Sequence, residues 1–584
     1  MKTYSLDFET FYDRDYSVET MGVWHYCADP RFEAYLVSIV GDDGTRYVGP
    51  PAEAPWDRID GARWVSHHAN FDSLVFLRLL RDGKIDSGGP ASWHCTADLA
   101  AFLGCARNLK DASAALLGQQ VSKEVRAFMK GKHWADVEHS GPVAQKVKEY
   151  ALNDAWLCLE LWTHFSPQWP AAEQQLSFLT GMWGFHGVTV DRDRLQQSIK
   201  ALDRVRWEAE QKIPWAADDK PLSPNALREY CRREGIEAPA SMAMDSDECA
   251  EWEDRYGADH PVVAAMRDWR RSNMFLAKYE AIRDRIRPNG TMPYALKYFG
   301  AGITGRWSGD ARVNMQNLPR DPIYDCDLRR CFIAAPGHKL AIVDFAQIEP
   351  RVLAWLSGDQ DFLERVRGGQ SPYEAHARAT MGWTGGPLKQ EDKQLYALAK
   401  CRVLALGYGT GWQKFQKVAK LWAGIEMTEA ESKQAVADFR LSNPRIVRLW
   451  DQMTSLIIKS RGEDMEVVLP SGRKLRYWDL KHERGTWWAR FLRGTAHKRV
   501  YGALLVENLV QAVSRDIFAA ALLRLHAAGV EVLWHVHDEV ICQIPAAGAD
   551  EALAEIIQLM TVPVEWMPGL PIAAEGTLSD HYRK

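Results

Sequence analysis

Alternating apolar and polar positions at the start of the chain predict a strand that carries acidic side chains. Thr3 to Thr10 reads TYSLDFET and alternates in the manner of a half-buried strand. Asp7 and Glu9 lie two positions apart, so they point to the same face of that strand. Two acids on one face of an apolar strand are poorly explained by packing, and the pattern therefore indicates a candidate site.

Two further segments add acids to this set. Val147 to Trp162 has the 3.6-residue period of a helix, and Tyr150 and Asp154 share one face because they lie four positions apart. Upstream, the segment HHANFDSLVF places Asp72 just ahead of an apolar stretch. Each motif is weak by itself, and only their order along the chain makes them informative.

A buried strand that ends in an acid comes much later, in KLAIVDFAQIEPR, from Lys339 to Arg351. Leu340 to Val343 is a short apolar run suited to a strand buried on both faces, and Asp344 closes it. A helix-like run follows, with Pro350 in its first turn, where proline is tolerated. On its own, this pattern fits an ordinary α/β protein as well as it fits a site.

A second apolar segment, VLWHVHDEVICQI from Val532 to Ile544, predicts a hairpin with His537, Asp538 and Glu539 at its apex. Two adjacent carboxylates repel each other unless a cation or solvent offsets the repulsion. If Asp538 meets Asp344 in space, the pair can hold two divalent metal ions. Such a pair suits phosphoryl transfer, since one cation activates the attacking oxygen and the other steadies the leaving group.

Composition sets broad limits on the class of protein. A chain of 584 residues predicts three or four domains, and 46% hydrophobic with 26% charged residues is typical of a globular protein. The net charge of −5 gives no overall basic field. Three local tracts are basic: 267–287, 490–499 and KEVRAFMKGK at 123–132. Each fits either a solvated surface of a helix or loop, or a cleft that grips DNA.

The cysteines and the apolar runs indicate a cytosolic setting. Ten scattered cysteines without a CxxC pair predict reduced thiols rather than disulfides or a zinc site. The start MKTYSLDFET is unlike a signal peptide, and no apolar run approaches the about 18 residues of a membrane span. We therefore expect a cytoplasmic protein without a membrane partner, located in the host cytoplasm if a phage encodes it.

The motifs together resemble those of family A DNA polymerases, relatives of bacterial DNA polymerase I. DFAQIEPR and HDEV resemble the first and last acidic motifs of that family, and GITGRWSGDARVNMQNLPR resembles its TGRxS…NxQNxP motif. SPYEAHARATMG and LAKCRVLALGYGTG resemble its fingers. The amino-terminal acids and tyrosine, in their order, resemble the DEDDy 3′–5′ exonucleases that proofread in the same family. The resemblance covers nearly the whole chain and is stronger to compact phage replicative enzymes than to bacterial repair enzymes.

This resemblance implies an α/β multidomain fold. A ribonuclease H-like exonuclease domain (1–166) is followed by a helical thumb (167–294), a palm in two parts (295–358 and 441–584) and fingers (359–440). The implied activity is template-directed DNA synthesis with 3′–5′ proofreading in phage replication, without a 5′-nuclease domain. The implied partners are primer–template DNA and dNTPs, with processivity or replisome proteins as further candidates, and the chain is expected to be a monomer.

The resemblance also assigns residue roles. Two Mg²⁺ ions are implied in each site, with Mn²⁺ as an alternative. The polymerase ligands are Asp344, Asp538 and the carbonyl of Phe345, with Glu539 added to the catalytic set. The exonuclease ligands are Asp7, Glu9, Asp72 and Asp154, with Tyr150 to orient the attacking water. The nucleotide contacts are Lys400, His376, Tyr408, Glu349, Leu404 and Lys393. The DNA contacts are Thr304, Arg306, Asn317, Gln511 and His537.

The sequence departs from the family pattern in the fingers. Tyr396 stands where the family usually has an arginine, four residues before Lys400, and either Lys393 or Arg402 is a candidate to replace it. Lys400 is expected to neutralise triphosphate oxygens as pyrophosphate leaves. The sequence alone does not decide whether Lys393 or Arg402 takes the place of that arginine.

A second departure is Leu404, where relatives have Phe or Tyr. Helical spacing of four keeps Lys400, Leu404 and Tyr408 on one side. If the helix is shifted, Leu406 is the relevant residue and Leu404 is ordinary core.

Two other classes of protein share some of these features. A single-subunit RNA polymerase has similar palm carboxylates. The resemblance argues against it, because Glu349 packed with Tyr408 fills the space that a 2′-hydroxyl needs, and because the exonuclease motifs are present. A nucleic-acid-binding protein with a degenerate site predicts a missing carboxylate, and none is missing.

Overall fold

The structure is a computed structural model that describes residues 1–122, 124–242, 246–310 and 313–583. Within those ranges, no helix combines the length and apolar character that a membrane crossing requires. All ten cysteines are free, in agreement with the expected reduced thiols. Lys123, part of one predicted basic tract, lies outside the described residues.

The amino-terminal unit is built around a mixed five-stranded sheet. Its strands are β1 (Thr3–Thr10), β2 (Ala34–Gly41), β3 (Arg46–Gly49), β4 (Arg63–Ser66) and β5 (Ser92–Cys95), in the order β3-β2-β1-β4-β5. Strand β1 runs antiparallel to β2 and parallel to β4, and β4 runs parallel to β5. The helices are α1 (Val18–Met21), α2 (Val23–Ala28), α3 (Trp56–Ile59), α4 (Ala69–Arg81), α5 (Thr96–Phe102), α6 (Leu109–Leu117), α7 (Glu124–Met129) and α8 (Gly141–Phe165).

A mainly helical region follows. It contains α9 (Ala171–His186), α10 (Arg192–Glu210), α11 (Pro224–Glu234), α12 (Asp247–Tyr256) and α13 (Pro261–Arg283), with the short strands β6 (Val188–Thr189), β7 (Thr291–Met292), β8 (Leu296–Lys297) and β9 (Ser308–Gly309). Helix α13 is continuous and carries most of the basic tract 267–287. Ser223 caps α11, because its hydroxyl accepts from the amide of Ala226 at 3.4 Å.

The predicted buried strand is β10 (His338–Phe345), with Leu340 to Val343 buried. Eight helices follow it: α14 (Ile348–Ser357), α15 (Gln360–Arg367), α16 (Pro372–Thr380), α17 (Leu388–Glu391), α18 (Lys393–Cys401), α19 (Trp412–Ala423), α20 (Glu429–Ser442) and α21 (Pro444–Lys459). A π-helical turn, Arg402–Leu406, continues α18. This turn changes the side-chain spacing in a segment that the sequence had placed on a regular helix.

A separate antiparallel sheet then forms, which we call the basic sheet. Its strands, in spatial order, are β11 (Met465–Val468), β12 (Lys474–Glu483), β13 (Thr486–Arg490) and β14 (Lys498–Val500). The basic tract 490–499 lies on β13, β14 and their connection, so its interpretation as a helix face is wrong. Charge density along the sequence gave no information about the period of the backbone beneath it.

The central sheet combines β10 with strands from the end of the chain. Helix α22 (Gly502–Ala527) precedes β15 (Glu531–Val536) and β16 (Glu539–Pro545), and α23 (Ala549–Thr561) precedes β17 (Ala574–Ser579). The strand order is β15-β16-β10-β17, and every neighbouring pair is antiparallel. Strand β10 therefore lies inside the sheet, which explains why its run of four apolar residues is continuous rather than alternating.

Candidate functional site

The central sheet brings the two acidic segments together. Asp344, near the end of β10, is paired in register with Glu539 on β16. The amide of Phe345 donates to the carbonyl of Asp538 at 3.4 Å. His537 and Asp538 form the turn between β15 and β16, and His537 has a positive φ of 57°, as tight two-residue turns require. Asp344 and Asp538 are both half-buried at this edge of the sheet.

Glu539 has a different position from the one expected. It is the first residue of β16 rather than part of the apex, and it is buried. The Tyr582 hydroxyl donates to Glu539 Oε1 at 2.7 Å. Because Glu539 and Asp344 are cross-strand partners, their side chains lie on the same face, with Cβ atoms about 4.5–5.5 Å apart. Glu539 is thus a buried neighbour of Asp344, and Tyr582 holds it.

Glu349 connects three elements through one carboxylate. Arg306 forms an ion pair with Glu349 Oε1, and the Tyr408 hydroxyl donates to Oε2 at 3.4 Å. Burial and then the charge of Glu349 raise the pKa of Tyr408 well above its usual value, so the hydroxyl stays protonated and can donate. Arg306, expected to contact DNA, is held by Glu349 in this structure.

A pocket lies beside these groups. Gln316 fixes its floor, because Gln316 Nε2 donates to the carbonyl of His535 at 2.7 Å and Oε1 accepts from the amide of His537 at 2.9 Å. The sequence analysis had singled out the neighbouring Asn317 and missed Gln316, although both belong to the same motif. The pocket is lined by Arg306, Trp307, Gln316, Ile348, Glu349, Ser514, Arg515, Phe518, His537 and Asp538.

The other expected DNA contacts differ in exposure. His537 and Asn317 are exposed. Gln511 is half-buried and donates to Glu507 at 3.3 Å. Thr304 is buried, and Arg473 Nη2 donates to its carbonyl at 3.0 Å. The structure therefore leaves His537 and Asn317 accessible, while Thr304 serves the local packing.

The cationic candidates in the fingers differ in exposure. Lys400, at the end of α18, and Lys393, at its start, are both exposed. Arg402 is buried, and among the described residues its Nε and Nη2 atoms have no hydrogen-bond partner. Tyr396 is half-buried and packs edge-on against the Tyr373 ring at 5.5 Å. Of the two candidates for the missing arginine, Lys393 is the one that solvent reaches.

The π-helical turn interrupts the spacing on which the Leu404 expectation depended. Lys400 precedes the turn and Tyr408 follows it, so a spacing of four no longer places them on one line. Leu404 is half-buried against the small cluster that contains Tyr373 and Val403. Leu406 is buried in the main core. A shifted helix was expected to make Leu404 the core residue and Leu406 the relevant one. The structure has the opposite arrangement, with Leu406 in the core.

His376, expected to contact a triphosphate, is enclosed within the helices. It is buried, its ring packs at 5.5 Å from Phe439, and Nε2 lies 3.1 Å from the Thr380 hydroxyl. Burial and then the charge of Arg402 lower its pKa to about 3, so the ring is neutral at physiological pH. In this conformation the imidazole is directed into the helical core.

A second set of acids, which we call the amino-terminal carboxylate cluster, contains Asp7, Glu9, Asp72 and Asp154. Asp7 and Glu9 lie half-buried on one face of β1. Asp72 is in the first turn of α4 and is buried, and its Oδ1 accepts from the amide of Phe8 at 3.2 Å. Asp154 comes from α8, the helix that packs against β1 and β2.

The pKa values of all four acids are raised, which indicates that the acids are buried near one another. Burial and the charge of Glu9 raise the pKa of Asp72 to about 8, although the amide of Phe8 opposes the shift. Burial and the charge of Asp154 raise the pKa of Glu9 to about 7, and burial raises that of Asp154 to about 6. Burial, followed by the other three charges, raises the pKa of Asp7 well above its usual value. Burial and then the charge of Asp154 raise the pKa of Tyr150, so Tyr150 stands near this acid.

Arg126 is a functional candidate that the sequence analysis missed. It lies on α7, its carbonyl accepts from the Tyr12 hydroxyl at 2.5 Å, and its side chain is exposed. Its charge lowers the pKa values of Asp7, Glu9 and Asp154, so it stands near the cluster. Arg126 belongs to the predicted basic tract 123–132. It is the cation of that tract whose charge acts on these acids.

Both acid sets suit hard cations by their donor chemistry. Carboxylate oxygens are the donors that Mg²⁺ prefers, and a cation offsets both the burial and the mutual repulsion that raise the pKa values in the amino-terminal cluster. Across the described ranges, no three His, Cys, Asp or Glu side chains already stand in a closed ligand arrangement. The carboxylates therefore fit divalent cations by charge and type rather than as a preformed cage.

The raised pKa values predict how stability depends on pH in the presence of a chelator. The folded chain keeps a proton on Asp72 that the unfolded chain releases above its ordinary pKa of about 4. Stability therefore falls as the pH rises from about 4 to about 8. Asp72→Asn removes this penalty and keeps the acceptor for Phe8, so it should stabilise the fold by at least about 1 kcal/mol at pH 8 and hardly at all at pH 4.

Urea midpoints at both pH values measure this difference. Asp86→Asn is the matched control, because Asp86 is an exposed loop residue of the same unit. An equal change at both pH values for Asp72→Asn would contradict the titration argument.

A family model and two phage proteins that match this chain are all described as DNA polymerases. Residues 193–584 match the model of the family described as DNA polymerase family A. The DNA polymerase of Bacillus phage SP02 is 27% identical, with 100% of both chains covered. The DNA polymerase of Mycobacterium phage D29 is 30% identical over 43% of this chain and 36% of that protein.

One solved structure has a similar fold over almost the whole chain. It is described as the POL domain of Pol1 from M. smegmatis in complex with DNA primer-template and dNTP. The match covers 99% of this chain and 95% of that chain, with a TM-score of 0.70 and 16% sequence identity. At that identity the match shows a shared fold alone.

Proposed function

The chain belongs to DNA polymerase family A and is a DNA polymerase, and from this premise we propose that it joins template-directed synthesis to 3′–5′ proofreading in phage DNA replication. The proofreading part is carried by one observation. Four carboxylates from three separate elements lie close enough for their charges to shift one another's pKa values, in a unit that shares no strand with the central sheet. Packing alone does not favour such a cluster, because burial opposes the ionisation of all four acids and the charges of Glu9, Asp72 and Asp154 further oppose that of Asp7.

In the polymerase site, we assign the reaction to Asp344 and Asp538 at the edge of the central sheet. The primer 3′-oxygen attacks the α-phosphorus of the incoming nucleotide, and pyrophosphate leaves. Divalent cations held by these carboxylates and the Phe345 carbonyl would supply charge neutralisation at the phosphates. Lys400 and Lys393 are exposed, and we assign them to the triphosphate.

Around that site, other residues select the substrate. Glu349 and Tyr408 are in contact and fill the region proposed for the sugar 2′ position. Arg306 and His537 line the same pocket and are assigned to the primer–template minor groove and the primer end. His376 is buried, so its assigned triphosphate contact requires a rearrangement of the fingers.

In the amino-terminal unit, we propose a ribonuclease H-like exonuclease. The mixed sheet of order β3-β2-β1-β4-β5, with β2 antiparallel to its neighbours, supports that fold. Tyr150 stands near Asp154, whose charge helps to raise the pKa of Tyr150, and it is assigned to orient the attacking water. Cations on the carboxylate cluster would polarise the scissile phosphate. Because the charge of Arg126 acts on three of these acids, we assign it to a phosphate beside them.

A primer-extension assay with deoxy- and ribonucleotides on one template tests these assignments. Extension with deoxynucleotides and loss of label from an unextended 3′ end are expected. Preferential use of ribonucleotides would indicate an RNA polymerase instead, and absence of both activities would indicate a binding protein.

A further prediction concerns Leu404, which is proposed to face the sugar 3′ position. Leucine has no hydroxyl to replace the hydrogen bond that a dideoxynucleotide lacks, so the wild type should reject dideoxynucleotides. Leu404→Tyr should relax this rejection by about tenfold, the effect of one hydrogen bond to a charged group. The measurement is the ratio of dideoxy to deoxy incorporation in the Asp7→Ala/Glu9→Ala background, where excision cannot mask insertion.

Leu406→Tyr is the control for register. Because Leu406 is buried in the main core, this change should lower stability without improving dideoxy use. An unchanged ratio in Leu404→Tyr, or a wild type that uses both substrates equally, would remove Leu404 from this role.

A further inference from the structure

We propose that one face of the basic sheet is a platform for single-stranded DNA that guides a frayed primer 3′ end from the pocket at Asp538 toward the amino-terminal carboxylate cluster. The platform builds on the proposed exonuclease, because it supplies the surface between the two sites. It lies in 474–501, a segment that neither site uses.

The charge of this segment is opposite to that of the whole chain. Residues 474–501 contain eight Lys and Arg and two acids, a net charge of 8 − 2 = +6, whereas the chain carries −5. Asp479 already binds Arg490 at 2.8 Å, and Glu483 binds Lys481 at 2.9 Å. Among the ion pairs of the described residues, none involves Arg499. The excess positive charge therefore attracts phosphates rather than acids of this protein.

Aromatic rings alternate with these cations on one face. Strand register pairs Lys481 with Trp488, Trp488 with Arg499, and Trp478 with Arg490, and cross-strand partners share a face. Trp488 is half-buried and Arg499 is exposed. Rings that stack on bases, interleaved with cations that meet the backbone, form the surface used by proteins that bind single strands.

The sheet joins the two units that hold the acid sets. At one end, Gly104 lies against the Trp478 ring, so closely that a Cβ there would stand 3.1 Å from Trp478 Nε1. Arg493 stacks over Trp478 at 4.0 Å, and its amide donates to the Gly104 carbonyl at 3.0 Å. At the other end, Arg473 Nε bonds Asp516 Oδ1 on α22 at 2.9 Å. The aromatic face thus runs up to the amino-terminal unit.

The chemistry of this face identifies the occupant. Only unpaired bases expose a ring face for stacking, because bases in a duplex already stack on each other. A single strand is therefore favoured over a duplex. The template overhang is the other single strand near a polymerase, but the contact with Gly104 joins this face to the amino-terminal unit, which holds the carboxylate cluster where a primer 3′ end is needed.

The test compares excision of different 3′ ends by the full chain. Trp488→Ala/Arg499→Ala should slow removal of a mismatched 3′ end from a primer–template by about tenfold, from the loss of one stacked base and one phosphate contact. A single-stranded trinucleotide reaches the carboxylate cluster without the platform, so the double variant should digest it at the wild-type rate. Trp488→Phe/Arg499→Lys keeps a ring and a charge and should restore mismatch removal. Trp422→Ala/Lys417→Ala, an exposed ring and cation on α19, is the matched control.

Three results would overturn the platform. The first is unchanged mismatch removal in the double variant. The second is a parallel fall in trinucleotide digestion, which would mean that the sheet only supports the exonuclease fold. The third is a loss confined to the extension of matched primers, which would indicate that the sheet binds the template strand.

Photocrosslinking separates this proposal from the proposed function. A mismatched primer end with 5-iododeoxyuridine should crosslink to 474–501 in the wild type, and a matched end should not. Crosslinks without any excision would support the platform and refute the exonuclease. Excision without crosslinks to this segment would do the reverse.

Discussion

Asp538→Ala should abolish DNA synthesis, by a factor of at least about 10³, and leave 3′–5′ digestion intact. Asp538 lines the pocket at the hairpin turn, beside the strand that holds Asp344. Losing one of two carboxylates removes several kcal/mol of charge stabilisation at the reacting phosphate. The fold should not suffer, because the change relieves repulsion with Asp344 and Glu539. Extension of a matched primer and digestion of a labelled single strand measure the two activities.

Asp7→Ala with Glu9→Ala should give the opposite result, with digestion lost and synthesis retained. Both side chains lie on one face of β1, in a sheet that shares no strand with the central sheet. Asp550→Ala, an exposed residue of α23, controls for the loss of an acid as such. A folded variant of either site that lost both activities would contradict the assignment of two separate sites.

Glu349→Ala should increase the use of ribonucleotides relative to deoxynucleotides by about 10–100-fold. The alanine opens space beside Tyr408, into which a 2′-hydroxyl can fit. Total activity should fall as well, because Arg306 and Tyr408 both lose their shared partner. Single-turnover incorporation of the two nucleotide types on one template gives the ratio.

Glu349→Gln distinguishes volume from charge. The amide keeps the size of the side chain and the acceptor for Tyr408 but loses the ion pair with Arg306. If space decides the choice of sugar, this variant keeps the wild-type ratio while its activity falls. A ratio that rises equally in both variants would assign sugar choice to the Arg306 pair, and no rise in Glu349→Ala would remove Glu349 from this role.

Much of the fold follows from periodicity. The alternation at 3–10, the apolar run at 340–343 and the 3.6-residue pattern at 147–162 each became the predicted element. The basic sheet was missed because its short strands are irregular: a bulge interrupts the pairing between Trp478 and Lys481.

The carboxylates could be found from sequence because acids at the ends of apolar strands conflict with packing. Exposure could not be found in the same way. His376 and Arg402 are polar by composition, yet tertiary packing buries both. The π-helical turn between Lys400 and Tyr408 was also invisible, since the choice between i+4 and i+5 hydrogen bonds depends on what the helix packs against. Arg306 was expected to contact DNA, and in this structure it forms an ion pair with Glu349.

The strand order of the central sheet imposes a sequence of events on the newly made chain. Strand β10 pairs with β16 and β17, whose residues follow it by about two hundred positions, a long loop to close. Asp344 and Asp538 therefore become neighbours only after nearly the whole chain has left the ribosome. The four acids of the amino-terminal cluster all lie within the first 154 residues and need only local pairing. During synthesis, the chain thus assembles its proposed digestive site well before its synthetic one.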